Sequence, residues 1–126
     1  MRILVVDDHE TVRRGVRSIL ESRKDVKVCG EAANGQEAVE KAAELVPDLI
    51  VLDVTMPQLD GFTAARRIRT FLPEVPILMF SMHGGLQVTI EAQHVGAQGL
   101  VSKSAAEQVL LKAMDAVFRG QTYFQA

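Results

Sequence analysis

Short apolar runs alternate with longer amphipathic stretches five times along the chain. The runs are Ile3 to Val6, Val26 to Gly30, Leu49 to Leu52, Ile77 to Phe80, and Leu100 to Val101. Runs this short and this rich in Val, Ile and Leu predict strands buried on both faces of a parallel sheet. After the first run, Val12, Val16, Ile19 and Leu20 recur at helical spacing, with Arg13, Arg14 and Arg17 on the other side. Ala38, Val39, Ala42 and Leu45 repeat the pattern beyond an Asn34-Gly35 turn. Phe62, Ala65, Ile68 and Leu72 predict a third helix, ended by Pro73. The fourth period (Leu86, Ile90, Val95) is weaker, and the fifth (Ala106, Val109, Leu110, Ala113, Val117) is the clearest. Gly96 and Gly120 stand where helix stops belong. Strand-helix alternation implies βαβ units with right-handed crossovers. The predicted class is therefore α/β, a (βα)5 doubly wound parallel sheet with helices on both faces.

Composition narrows the function classes. The 126 residues suit one domain, and residues 1-120 carry the pattern, leaving 121-126 as a tail or the start of a linker. With 14 basic and 16 acidic residues the net charge is -2, which does not suit a module whose main task is gripping nucleic acid. No apolar stretch approaches the roughly 20 residues needed to cross a bilayer. The four residues Ile3 to Val6 are too few for a signal-peptide core, so the cytoplasm is the expected location. Cys29 has no second cysteine to pair with and reads as a buried apolar side chain in a strand.

The polar residues at the strand ends carry the chemistry. Asp7 and Asp8 directly follow the first run, Asp53 closes the third, Ser81 closes the fourth, and Lys103 follows the fifth. The carboxyl edge of an open α/β sheet is where ligands bind. If the strand order is 2-1-3-4-5, borrowed from other doubly wound sheets, strands one and three are neighbours and the three carboxylates converge. Such a cluster repels itself unless a cation sits among the carboxylates. Hard oxygen donors with no His or Cys beside them select a hard ion, and Mg2+ fits best. Lys103 adds a second positive charge and Ser81 a hydroxyl donor, which together make a clamp for a transferring phosphoryl group. A carboxylate can itself accept that group as an acyl phosphate. Each residue alone has a plainer reading: Asp7-Asp8 as a helix cap, Asp53 as a turn residue, Lys103 as a solvated charge. The argument rests on the set.

Along its whole length the sequence resembles the receiver domain of two-component response regulators, a flavodoxin-like fold. The matching motifs are Ile3-Leu-Val-Val-Asp7-Asp8-His9, Pro47-Asp48-Leu-Ile-Val-Leu-Asp53, Met56-Pro57 with Asp60-Gly61, Ser81-Met82-His83, and Gly96-Ala97 running to Lys103. The Asp-Asp-His start, Ser-Met-His and the ending Val117-Phe118-Arg119-Gly120 look like the LuxR/NarL/FixJ-like subfamily, whose receivers precede a helix-turn-helix DNA-binding domain. The resemblance implies that Asp53 is the phosphoacceptor, and that Asp8, Asp53 and the backbone carbonyl of Thr55 ligate Mg2+, with Asp7 acting through water. It implies that Ser81 binds a phosphoryl oxygen and that Lys103 pairs with Asp53 and then with its phosphate. Met56-Pro57 and Asp60-Gly61 would shape the loop beyond the acceptor, with Gly61 permitting a turn that other residues resist. Thr55 and His83 would flank the site where dephosphorylation is tuned. The implied donor is a sensor histidine kinase or phosphotransfer protein. A homodimer on activation, through the first and last helices, is a further implication, and so is transcription as the output.

Two departures stand out. Leu100 occupies the position three before the lysine where the family often has Tyr or Phe, and Ser104 follows Lys103 where proline is common. Rival functions fit less well. A haloacid-dehalogenase-type phosphatase has an Asp-x-Asp pattern after its first strand, whereas here Asp7-Asp8 are adjacent. A flavodoxin-like flavin binder needs a Ser/Thr/Gly-rich phosphate loop where this chain has Asp-Asp-His-Glu, and no Gly-x-x-x-x-Gly-Lys-Ser/Thr loop exists for a nucleotide kinase. A stand-alone receiver acting by protein contacts remains the alternative output. Elsewhere, Arg66, Arg67 and Arg69 read as a solvated helix face, Met79 and Met82 as packing residues, and Gly84-Gly85 as a flexible loop.

Overall fold

In the computed structural model, residues 1-82 and 84-124 are described; His83, Gln125 and Ala126 lie outside them. The elements run β1 (Arg2–Val6), α1 (Glu10–Leu20), β2 (Lys27–Ala32), α2 (Gly35–Leu45), β3 (Leu49–Asp53), α3 (Gly61–Phe71), β4 (Ile77–Ser81), α4 (Leu86–His94), β5 (Gly99–Ser102), a 3-10 turn at Lys103–Ala105, α5 (Ala106–Phe118) and β6 (Tyr123–Phe124). All strands pair in parallel in the order β2-β1-β3-β4-β5-β6. The predicted doubly wound sheet and the order of its first five strands are both present.

Alternation along the central strands supplies two cores. Leu4, Val6, Ile50, Leu52, Met79 and Leu100 face α2, α3 and α4, where Ala38, Ala42, Ala65, Ile68 and Ala92 meet them. Ile3, Val5, Val51, Leu78, Phe80 and Val101 face α1 and α5, where Val16, Leu20, Leu110, Ala113 and Val117 complete the second core. Every residue of β3 and β4 is buried, as strands covered on both faces must be. Helix starts are fixed locally. Asn34 accepts from the Glu37 amide at 2.8 Å, while Glu37 accepts from the Ala33 amide at 3.0 Å, so two otherwise orphaned donors are satisfied reciprocally. Gly96 and Gly120 hold φ of 83° and 84° just past their helices, the conformation that makes glycine a helix stop. Among the described residues no helix is long and apolar enough to cross a membrane.

Five details differ from the sequence reading. Tyr123 and Phe124 form a sixth strand beside β5, which patterning misses because two residues have no period. Cys29 is half-buried, not buried, because β2 is an edge strand. Met82 and Leu86 are exposed (69% and 76%) instead of packed, and α4 fully buries only Ala92. Arg13 turns inward from the polar side of α1, its side chain 16% exposed. Arg69 leaves the solvated face of α3 and inserts its guanidinium among the Leu72, Val75 and Gly96 carbonyls and the Gln98 side chain, at 2.7 to 3.1 Å.

Candidate functional site

β1 and β3 are neighbours in register, Val6 beside Leu52, so Asp7 and Asp53 emerge side by side at the carboxyl edge. β4 and β5 continue the row, with Phe80 beside Asp53 and Ser81 beside Ser102. Lys103 follows directly. The topology thus brings together all five residues read from the sequence, from four strand ends.

Asp7, Asp53 and Ser81 are the buried polar residues of the described chain, at 0%, 2% and 6% exposure. Lys103 reaches over them, its Nζ 2.7 Å from Asp7 Oδ2 and 3.1 Å from Asp53 Oδ2. The same ammonium sits 5.0 Å from the centroid of the Phe80 ring, a cation-π contact that steers it toward the carboxylates. Asp7 is further fixed by the His9 amide, which donates to Oδ1 at 2.7 Å. Arg13 donates to the Asp7 backbone carbonyl at 2.6 Å and to Glu31 at 3.0 Å, tying the site to α1 and β2. Beyond β3, the Thr55 amide donates to Asp53 Oδ1 at 3.3 Å; Thr55 itself is exposed.

The electrostatics are unbalanced. Burial, and then the neighbouring Asp7 charge, push the Asp53 carboxyl up to about 6, although Lys103 and the Thr55 amide pull it down. Burial works against the Lys103 ammonium, but Asp7 and Asp53 together outweigh it and raise its pKa. Asp7 Oδ2, Asp8 Oδ1 and Asp53 Oδ2 are buried and none accepts a well-formed hydrogen bond. Lys103 meets two of the three only as an ion pair. Buried acceptors left in this condition are a place where a cation belongs.

Two parts of the sequence reading need correction here. That reading places no histidine beside the carboxylates, yet His9 Nδ1 lies 3.2 Å from Asp8 and 3.4 Å from Asp7. The turn after β1 folds the His9 ring back over the pair. Asp7, Asp8 and His9 each offer one ligand atom within 4.8 Å of the others, a set that does not include Asp53. Gly61 is needed for room, not for an unusual turn. Its φ is not positive; Gln58 takes the left-handed φ of 68° instead. A Cβ on Gly61 would fall 2.0 Å from the Asp53 carbonyl oxygen. Asp60 caps α3 by accepting from the Thr63 amide at 2.8 Å, so the loop after Asp53 is closed by α3 itself. His83, expected to flank the site, lies outside the described residues. The sequence reading missed Phe80 and Arg13. The register that places Phe80 beside Asp53 could have exposed the first, whereas nothing local marks the second.

Residues 3-115 match the family described as Response regulator receiver domain. The response regulator UvrY of Escherichia coli K12 is 38% identical over 123 residues, covering 98% of this chain and 56% of that protein. A protein-glutamate methylesterase/protein-glutamine glutaminase of Methanosarcina acetivorans is 45% identical over 115 residues, covering 90% of this chain but 33% of its own. Among solved structures, a LuxR-family two-component response regulator from Aurantimonas sp. SI85-9A1 superposes with a TM-score of 0.93 at 38% identity, over 97% of this chain and 87% of that one. The chain belongs to the response regulator receiver domain family and is a receiver domain of two-component signalling. It spans about half the length of UvrY and a third of the methylesterase.

Proposed function

We propose that Asp53 is the phosphoacceptor of this receiver. The observation that carries the reading is a carboxylate 2% exposed, held 3.1 Å from the Nζ of a lysine that also grips Asp7 at 2.7 Å. In the reaction an Asp53 oxygen attacks phosphorus, the bond from phosphorus to the donor nitrogen of a phosphohistidine breaks, and the electron pair leaves with the imidazole. Lys103 holds its positive charge where phosphoryl oxygens gather, in a desolvated crevice where that contact counts most. Ser81, buried at the end of β4, offers a hydroxyl to one of them. The Thr55 amide orients Asp53, and Phe80 orients Lys103.

The three buried carboxylate oxygens, which share between them a single ammonium on two of the three, fit Mg2+, a hard ion that accepts one or two carboxylates beside phosphate oxygens. Asp8, Asp53 and the Thr55 backbone carbonyl would hold it, with Asp7 contributing through water. When bound, the ion neutralises the charge that develops on the phosphoryl oxygens. The donor is a sensor histidine kinase or phosphotransfer protein. An open groove of about 430 Å³ between α1 and α5, lined by Val12, Ile19, Phe80, Lys103 and Ala106, supports docking beside the acceptor or pairing of two receivers. Similarity to LuxR-family regulators supports transcription as the output of a longer protein, carried out in the cytoplasm by a DNA-binding domain; the receiver itself does not bind nucleic acid.

Incubation with a small acyl phosphate and Mg2+ should add one phosphoryl mass to the protein. Asp53→Asn and EDTA should each abolish the addition. Equal labelling of the variant and the parent would overturn the assignment of Asp53.

A further inference from the structure

The last strand is placed with more care than two residues suggest. Gly120 turns the chain after α5, the Gln121 amide donates to the Ala116 carbonyl at 2.9 Å, and the Tyr123 amide donates to the Gln98 carbonyl at 3.0 Å. Tyr123 then lies beside Gly99 and Phe124 beside Leu100. A Cβ on Gly99 would fall 2.8 Å from the Tyr123 carbonyl oxygen, so β5 leaves room for the backbone of β6 at the point of contact. Phe124 shares the sheet face of Leu100. It packs on the cluster that contains Leu100, Ala92 of α4, and Val95 and Ala97 just beyond it.

α4, which contributes to the same cluster, is the most lightly anchored of the five helices. Ala92 is its one buried residue, against five in α5. Its two ends are held differently. At the carboxyl end, Arg69 donates to the Gly96 carbonyl at 2.7 Å and to Gln98 at 3.1 Å, pinning the turn into β5. At the amino end the cap is Gly85, with a φ of 119° and no side-chain cap bond. That amino end follows β4, whose last residue is Ser81. A change at the site would reach α4 through its amino end while Arg69 holds the turn beyond its carboxyl end, and would alter the packing of the cluster that Leu100 and Phe124 share. Pairing with β5 and the packing of Tyr123 on the second core also hold this strand, yet two residues at a sheet edge are short enough to open locally.

We infer that β6 is a latch: Phe124, seated beside Leu100 on the cluster to which α4 contributes Ala92, keeps the strand zipped, and occupancy of the Asp53 site releases it. The release rests on the phosphoacceptor reading; the seating of Phe124 does not.

Tyr123 is the one tyrosine of the chain, and there is no tryptophan, so tyrosine fluorescence reports on β6 directly. The experiment adds beryllium fluoride with Mg2+, an analogue of an acyl phosphate group. Acrylamide quenching of Tyr123 and exchange of its amide are followed while fluorine NMR records site occupancy. The amide should exchange about fivefold faster or more on binding, with quenching rising in parallel. Phe124→Ala should show the released behaviour without ligand, whereas Phe124→Leu should remain latched. Bound fluoride with Tyr123 unchanged or better protected would overturn the latch and leave Asp53 as the acceptor. Protection in Phe124→Ala equal to the parent would also overturn the latch. Failure of the fluoride to bind at all would remove the phosphoacceptor reading, and the trigger with it.

Discussion

At the amino end of the sheet, the half-buried Arg69 guanidinium meets three backbone carbonyls and one side-chain amide oxygen within 3.1 Å. At the carboxyl end, two of three carboxylates share one lysine, and Asp7, Asp8 and Asp53 each keep a buried oxygen without a hydrogen bond. Both ends draw charge at least partly away from solvent, yet only the first is complete in itself. Neutral carbonyls spread the arginine charge, and the charge that acts on it from nearby, Glu74, is of opposite sign. The acidic end concentrates like charges that the protein alone does not neutralise. A buried charge with all its partners joins elements together, and one without them is free to take a ligand.

The largest expected effect breaks the complete end. Arg69→Ala strips the guanidinium from the carbonyls of Leu72, Val75 and Gly96, while Gln98 Oε1 keeps the Ile77 amide, and should cost about 3 kcal/mol in urea unfolding. Arg69→Lys should recover little, because an ammonium cannot span the four acceptors. A loss below about 1 kcal/mol would show that the cluster is ornamental.

The incomplete end should respond with the opposite sign. Asp53 titrates near 6 when folded against 3.8 as a free group, so between these values the folded state binds more protons than the unfolded. Stability of the metal-free protein should therefore fall as pH rises from about 4 to about 6. Asp53→Asn should raise it by about 1-3 kcal/mol at pH 7 and by nothing below pH 4. Millimolar Mg2+ should stabilise the parent more than the variant in the same thermal melts.

Lys103→Ala sharpens the contrast on a smaller scale. With the shared ammonium gone, Asp53 should titrate higher still, by about one pH unit, readable as a carboxyl carbon shift by NMR, with the fold intact. Smallest of all, Arg14→Ala removes an exposed pair with Glu10, 2.8 Å apart and 78% and 65% exposed, and should change stability by less than about 0.5 kcal/mol.

The carboxyl end was legible in the sequence because each of its residues closes a strand or follows one within two positions, and strand ends are read from apolar runs. Asp7, Asp53, Ser81 and Lys103 needed only a strand order to converge. Arg69 was not legible. Its three-residue spacing from Arg66 looks like a polar helix face, and its acceptors are 3 to 29 positions away. Arg13 hid in the same way, since the carbonyl of Asp7 carries no mark in the sequence. The exposure of Met82 and Leu86 follows from how little α4 buries, a tertiary fact already hinted at by its weak period. Strand β6 escaped because its pairing depends on Gly99 and Gly120 acting together across 21 residues.

The close approach at Gly61 has a meaning for sequence variation. The atom that a side chain there would strike is the Asp53 backbone carbonyl oxygen, 2.0 Å from any Cβ, and backbone in a central strand does not rotate aside as a side chain does. Polarity and size are therefore irrelevant at this position, and even alanine is excluded. Gly15, with nothing within 4 Å of its Cβ position, lies midway along α1, where alanine is the better helix former. A saturation library covering both sites would keep one letter at the first and diversify freely at the second, although the two glycines are indistinguishable by residue type.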